Sequence, residues 1–168
     1  MNSNSITQLP RPTAILWDLD GTLIDQTAAI IRCYREVILD MGYPQPDDNA
    51  IRRSLGGVMA ATMGLFVEAE HMDEACKAFR VRFPKIMFDG LIILAGGEEL
   101  IERAYKAHIP QVLFTNKHGE TARKVSRYAG FAKYIPICIG SADTEWHKPQ
   151  LALTQHVLDQ IEVSAKGS

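Results

Sequence analysis

Asp18 and Asp20, two carboxylates set two residues apart, are the side chains of this sequence best placed to do chemistry. An apolar run, Ala14 to Trp17, leads to them, and Gly21-Thr22 follows at once. A short continuous apolar run bounded by Gly reads as a buried parallel strand. Ligands of such sheets gather beyond the carboxyl ends of the strands, where both acids fall. Residues two apart in extended chain point to the same side, so two negative charges face one spot. That is costly unless a bound cation or a shared proton relieves it, and this is the chemistry the pair invites. A plain Asp-Gly turn explains neither Asp18 nor the apolar approach.

Two later stretches offer partners. Thr115-Asn116 close an apolar strand, Ile109 to Phe114. A Thr hydroxyl and backbone N–H groups there can donate to phosphate oxygens, with the next helix N-terminus nearby. The alternative is a polar strand end that caps the following helix. Lys117 reads as a solvated side chain and His118 as a helix start. Lys148 stands before Pro149, which opens a helix; alone, such a Lys is surface charge.

The elements that must hold these residues follow from the pattern. Thr27 can cap a helix from about 28 to 41, with Ala29, Cys33, Val37 and Met41 on one face and Gly42 at its end. Asp47 or Asp48 caps a second helix, broken by Gly56-Gly57. Helical patterning continues over 58–66 and 72–83, interrupted by Pro84 and then Asp89-Gly90. From Leu91 strands and helices alternate: a helix over 98–107, the strand 109–114, a helix over 119–129, a strand over 134–139, and a last helix over 150–161. Alternation of this kind predicts a parallel sheet with helices on its faces.

Composition narrows the class. A chain of 168 residues, 46% apolar, is one domain or a core with a small insert. A formal net charge of -2 gives no reason to expect nucleic acid or an acidic membrane as partner. Cys33, Cys76 and Cys138 are scattered and odd in number, which fits reduced thiols in the cytoplasm. Residues 1–12 read as a polar tail rather than a signal peptide, and no apolar run approaches a membrane span.

Taken in order, these stretches resemble the haloacid dehalogenase-like superfamily. Its first motif, D-x-D-G-T-[LV], matches Asp18-Leu19-Asp20-Gly21-Thr22-Leu23, with Trp17 where a Phe is usual. Its second motif resembles the stretch ending in Thr115-Asn116, and its third the stretch ending in Lys148-Pro149. The resemblance is closest to phosphoglycolate phosphatase-like members with a helical cap. It implies an α/β Rossmann-like core, residues 13–26 with 89–168, and an inserted cap over 27–88. It implies Asp18 as nucleophile, Asp20 as general acid/base, and Mg²⁺ between Asp18 and the backbone carbonyl of Asp20. Thr115 would bind phosphate, Asn116 would contact the substrate or leaving group, and Lys148 would neutralise charge on Asp18 and the phosphoryl oxygens. The substrate would be a small phosphorylated metabolite or another phosphate monoester. An Asp at the second position resembles the phosphatase and phosphomutase branches.

The family's fourth motif, an acidic pair that completes the Mg²⁺ site, has no counterpart after Lys148. The expectation is a C-terminally truncated chain whose first strand lies at a sheet edge. Asp143 or Glu145 is a candidate substitute ligand. Gly56-Gly57, with Arg52 and Arg53 beside it, is the candidate cap element for choosing the substrate. Three functions follow: a Mg²⁺-dependent phosphatase, a phosphomutase, or a non-catalytic domain that binds a phosphorylated ligand or a partner protein.

Overall fold

A computed structural model describes residues 11–166, so most of the polar tail expected over 1–12 lies outside the described residues. Three parallel strands form the sheet: β1 (Ile15–Trp17), then β4 (Gln111–His118), then β5 (Ile137–Ser141), in the order β1-β4-β5. Register pairs Leu16 with Val112 and Leu113 with Cys138. Strand alternation sends side chains to two faces. Trp17, Leu113 and Cys138 face one layer, while Leu16, Val112 and Ile139 face the other. Helix α7 (Leu151–Lys166) covers the second face through Leu153, Val157 and Ile161. The first face lies under α5 (Gly97–Lys106) and α6 (Gly119–Tyr128), which bury Ile101, Ala122 and Val125. The result is an α/β layered core with a Rossmann-like parallel sheet. Among the described strands β1 is at an edge, as expected. Trp17 keeps its extra donor satisfied: its indole N–H bonds Gln111 Oε1 at 2.8 Å, and Gln111 in turn donates to the Ile101 carbonyl.

After β1 the chain makes one tight turn. The Leu19 carbonyl accepts from the N–H groups of Thr22, Leu23 and Ile24. Gly21 sits at φ 79°, a backbone state that side chains disfavour. A short ribbon follows, β2 (Ile24–Asp25) antiparallel to β3 (Ile92–Ile93), through which the chain leaves the sheet and returns. Two residues per strand are too few to show periodicity, so the sequence does not reveal it.

Between the two ribbon strands the described chain is helical. It forms α1 (Thr27–Asp40), α2 (Asp48–Ser54), α3 (Met59–Met63) and α4 (Met72–Ile86). Helix α1 buries Ala29, Cys33 and Val37 as the pattern requires, with Ile31, Tyr34 and Ile38 beside them. The capping differs from expectation. Thr27 is the first helical residue, and its N–H is satisfied by Asp25 Oδ1 at 2.8 Å. Asp47 does cap α2, accepting from Asn49 and Ala50. Pro84 does not interrupt α4: the helix runs through it to Ile86. A helix tolerates the lost hydrogen bond near its last turn, where burial of Phe79 and Phe83 outweighs it.

Two strand ends also move. β4 runs to His118 rather than Phe114, with an irregular register between Phe114 and His118. β5 begins at Ile137 and reaches Ser141, because a single turn over Phe131–Lys133 uses the residues before it. The ends of β4 and β5 meet closely: a Cβ on Gly140 would lie 2.4 Å from the Lys117 carbonyl and 2.7 Å from Gly119 Cα. The last helix continues past Ile161 to Lys166. No helix among the described residues is long and apolar enough to cross a membrane.

Candidate active site

The turn after β1, the end of β4 and the loop after β5 converge at the carboxyl edge of the sheet. Lys148 Nζ lies 2.6 Å from Asp18 Oδ1. Lys117 Nζ lies 3.0 Å from both oxygens of Asp20. The two like charges are thus each met by a different lysine, Lys117 from the end of β4 and Lys148 from the loop after β5. This is the relief that paired carboxylates require. Thr115 is buried, and its Oγ1 accepts the Lys117 N–H at 3.1 Å, which leaves its own O–H to donate elsewhere. The side chain of Asn116 accepts the Lys148 N–H at 2.9 Å and donates to the Gly56 carbonyl at 2.9 Å.

Above these groups is a cavity of about 660 Å³. Its core side includes Asp18, Asp20, Thr115, Asn116 and Lys117, and its helical side includes Tyr34, Arg52, Gly56, Phe79 and Arg80. Lys148 does not line it. All five residues singled out in sequence, Asp18, Asp20, Thr115, Asn116 and Lys148, are therefore brought to one place. Lys117 was misread. Its side chain is only 7% exposed, buried between Asp20 and the ring of Phe83 at 5.0 Å. Its neighbour Phe83 is distant in sequence, so no local signal marks the burial. Arg80 is a second residue that the sequence did not single out.

The candidate substitutes for the missing acids do not reach the site. Asp143 is gripped by Arg123 at 2.8 and 3.0 Å and by the Gly140 N–H at 2.9 Å. Burial would raise its pKa, but Arg123 and Gly140 outweigh that and hold it below the ordinary carboxylate value. Glu145 is exposed, and neither acid lines the cavity. Of the two arginines beside Gly56, Arg52 lines the cavity, while Arg53 is 73% exposed and faces Asp47. The three thiols lie outside the cavity; burial pushes Cys33 up to about 12 and Cys138 up to about 11, so neither is a nucleophile at neutral pH.

The donors suit Mg²⁺ as a minimal site. Asp18 Oδ2 has no hydrogen-bond partner among the described residues, and the Asp20 carbonyl accepts no backbone hydrogen bond there. Both are hard oxygens, the ligand type this ion prefers. No third carboxylate, His or Cys among the described residues joins them; the one cluster with ligand spacing, Glu68, Glu70 and His71, lies elsewhere.

A paired-Asp turn after the first strand, a Thr at the end of a neighbouring strand and a Lys closing on the first Asp thus meet at the carboxyl edge of an α/β sheet. The chain belongs to the haloacid dehalogenase-like hydrolases, whose family pattern it matches over residues 15–168. It is 24% identical over 156 residues to the tyrosine-protein kinase PtkA of Mycobacterium tuberculosis, covering 89% of this chain and 52% of that protein. It is 28% identical over 165 residues to a 5'-nucleotidase of Pseudomonas aeruginosa, covering 90% and 70%. The crystal structure of a predicted phosphoglycolate phosphatase from Haemophilus somnus superimposes with a TM-score of 0.81 at 14% identity, over 89% of this chain and 72% of that one. The chain therefore spans about half the length of the kinase relative.

Proposed function

We propose that this chain hydrolyses a phosphate monoester through an aspartyl-phosphate on Asp18. The observation that carries the reading is the Lys148–Asp18 contact of 2.6 Å, which engages Oδ1 and leaves Oδ2 without a partner among the described residues, on a side chain that lines the cavity. Oδ2 attacks phosphorus while the ester oxygen leaves. Asp20, protonated as the substrate binds, gives that oxygen its proton, then removes one from the water that attacks phosphorus and frees Asp18. Thr115 donates its hydroxyl hydrogen to a phosphoryl oxygen. Lys148 offsets the negative charge that gathers on Asp18 and the transferring group. The Asp18 carboxylate and the Asp20 carbonyl are the groups that would hold Mg²⁺. When bound, the ion supplies positive charge against the phosphoryl oxygens.

Residues 27–88 act in this reading as a cap that closes on the substrate. Apolar Ile30, Tyr34, Met59 and Phe79 line the cap side of the cavity with Arg52 and Arg80. Neither arginine makes an ion pair with a described residue, so the cavity keeps positive charge for a ligand. The substrate class is then a small phosphorylated molecule with an apolar body and a second anionic group. Its three free thiols suit a reducing cytoplasm.

Release of inorganic phosphate from p-nitrophenyl phosphate, with Mg²⁺ and with chelator, tests the proposal. The expected result is activity that is lost with chelator and saturates only at millimolar Mg²⁺, because the two protein oxygens found among the described residues leave water and substrate to complete the ion's shell. Saturation at micromolar Mg²⁺ would mean that another residue ligates it. Transfer to a sugar phosphate without phosphate release would favour a mutase. No response at any Mg²⁺ concentration would favour a non-catalytic binding domain.

A further inference from the structure

We propose that the adjacent Asn116 and Lys117 are positioning residues, each tying one catalytic side chain to the helical cap. The proposal rests on the phosphatase reading above for the meaning of "catalytic", but not for its geometry.

One arm is Asn116. Its Oδ1 accepts the Lys148 N–H at 2.9 Å, and its Nδ2 donates to the Lys148 carbonyl at 3.3 Å and to the Gly56 carbonyl at 2.9 Å. A single amide brackets both backbone polar groups of Lys148 and grips the loop between α2 and α3. An Asn side chain has only two N–H donors, and both are used here. None remains for a substrate or leaving group while the cap sits on the core, so the expected substrate contact gives way to a structural one.

The second arm is Lys117. Its ammonium bonds both Asp20 oxygens at 3.0 Å and stands 5.0 Å from the centroid of Phe83 on α4. A charge this deeply buried persists only where it is paired, and here the carboxylate and the ring face form its enclosure. Asp20 is held by a lysine whose other wall belongs to the cap.

Consecutive strand residues normally point to opposite faces. Here both work at one site, and the irregular register between Phe114 and His118 is what allows it. Bulges next to sites re-aim side chains in this way. The cap supplies Gly56 to one arm and Phe83 to the other. Seating of the cap and placement of Lys148 and Asp20 are therefore one event, and turnover depends on it more than substrate capture does.

The test uses the full chain with p-nitrophenyl phosphate at saturating Mg²⁺. Asn116→Ala and Lys117→Met are each expected to lower kcat by about tenfold or more, with KM changed less than about threefold. Lys117→Arg, which keeps the charge and can still stack on the ring, should recover most of the Lys117→Met loss. Phe83→Leu should cost less in the Lys117→Met background than in the wild type, because its route to Asp20 is already cut. Unchanged kcat in both single variants, or effects of Phe83 and Lys117 that simply multiply, would overturn the proposal. Amide hydrogen exchange decides the matter if a Lys117 variant fails to fold or the wild type proves inactive. Asn116→Ala should speed exchange in residues 55–58 and at Lys148 together while α5 stays unchanged. Faster exchange at Lys148 alone would show that the amide does not couple the cap to the core.

Discussion

Two sets of oppositely charged side chains stand at the carboxyl ends of this sheet, and the carboxylates of only the first line the cavity described above. After β1, Asp18 meets Lys148 and Asp20 meets Lys117. After β5, Asp143 meets Arg123. In local sequence both are acids in a loop following an apolar strand. The difference lies in what each carboxylate has left to offer. Asp143 Oδ2 takes both an Arg123 N–H and the Gly140 N–H, and Oδ1 takes the other Arg123 nitrogen. That carboxylate is consumed in holding the loop. Asp18 lines the cavity, spends Oδ1 on Lys148 and keeps Oδ2 without a partner among the described residues. In the proposed reading a strand-end acid can serve as nucleophile when the fold leaves one of its oxygens without a partner and a space to use it.

The contrast breaks most sharply at Asp18. Asp18→Asn should reduce kcat by at least about 10³-fold, since an amide cannot replace the attacking oxygen, and leave the fold intact. Circular dichroism and phosphate release check both halves. Next is Lys148→Ala, expected to cost about 10²–10³-fold in kcat, the usual scale for losing one group that stabilises developing charge. A smaller loss would mean that Lys148 is held at Asp18 for structure alone.

The arginines of the proposed cap come third. Arg52→Gln and Arg80→Gln should each lower, by about tenfold, the kcat/KM ratio of substrates that carry a second anion over p-nitrophenyl phosphate, a charge-assisted hydrogen bond being worth about 1.5–3 kcal/mol. Arg53→Gln should leave that ratio unchanged. An unaltered ranking over a panel of phosphorylated metabolites in both variants would remove these arginines from substrate choice.

The smallest effect belongs to the other side of the comparison. Asp143→Asn should lower stability by up to about 1 kcal/mol, reduced by the solvent that reaches the pair, and leave kcat/KM within about twofold. Because Asp143 is held below its ordinary 3.8 in the folded state, its contribution is full above that value and is lost as pH falls through the lower, folded one. Thermal melts of wild type and variant should therefore differ at pH 7 and converge under strongly acid conditions.

Much of this site is legible in the sequence, for a definite physical reason. Asp18, Asp20 and Thr115 sit where short apolar runs stop, and parallel sheets put strand ends together. Lys148 follows from resemblance more than from its own surroundings, because a Lys before Pro carries no distinguishing pattern. What stays hidden depends on distant partners. Lys117 reads as a surface residue until Phe83 and Asp20 close around it. Pro84 reads as a breaker until the packing of α4 carries the helix past it. Asp143 looks like a spare metal ligand until Arg123 appears twenty residues upstream in its grip. The pattern ends the strand at residue 139, whereas β5 runs on through Gly140, where a Cβ would meet the Lys117 carbonyl at 2.4 Å. Local pattern gives the elements; non-local pairing decides which charges remain available.

The central claim is that Asp18 carries the phosphoryl group. Rapid quench of the enzyme with substrate and Mg²⁺, followed by borohydride reduction and peptide mass spectrometry, tests it directly. An acyl phosphate at position 18 is reduced to homoserine, and the account predicts that residue there, dependent on substrate and absent from Asp18→Asn. Phosphate release with Asp18 unmodified, or with homoserine appearing at another acid, would contradict it.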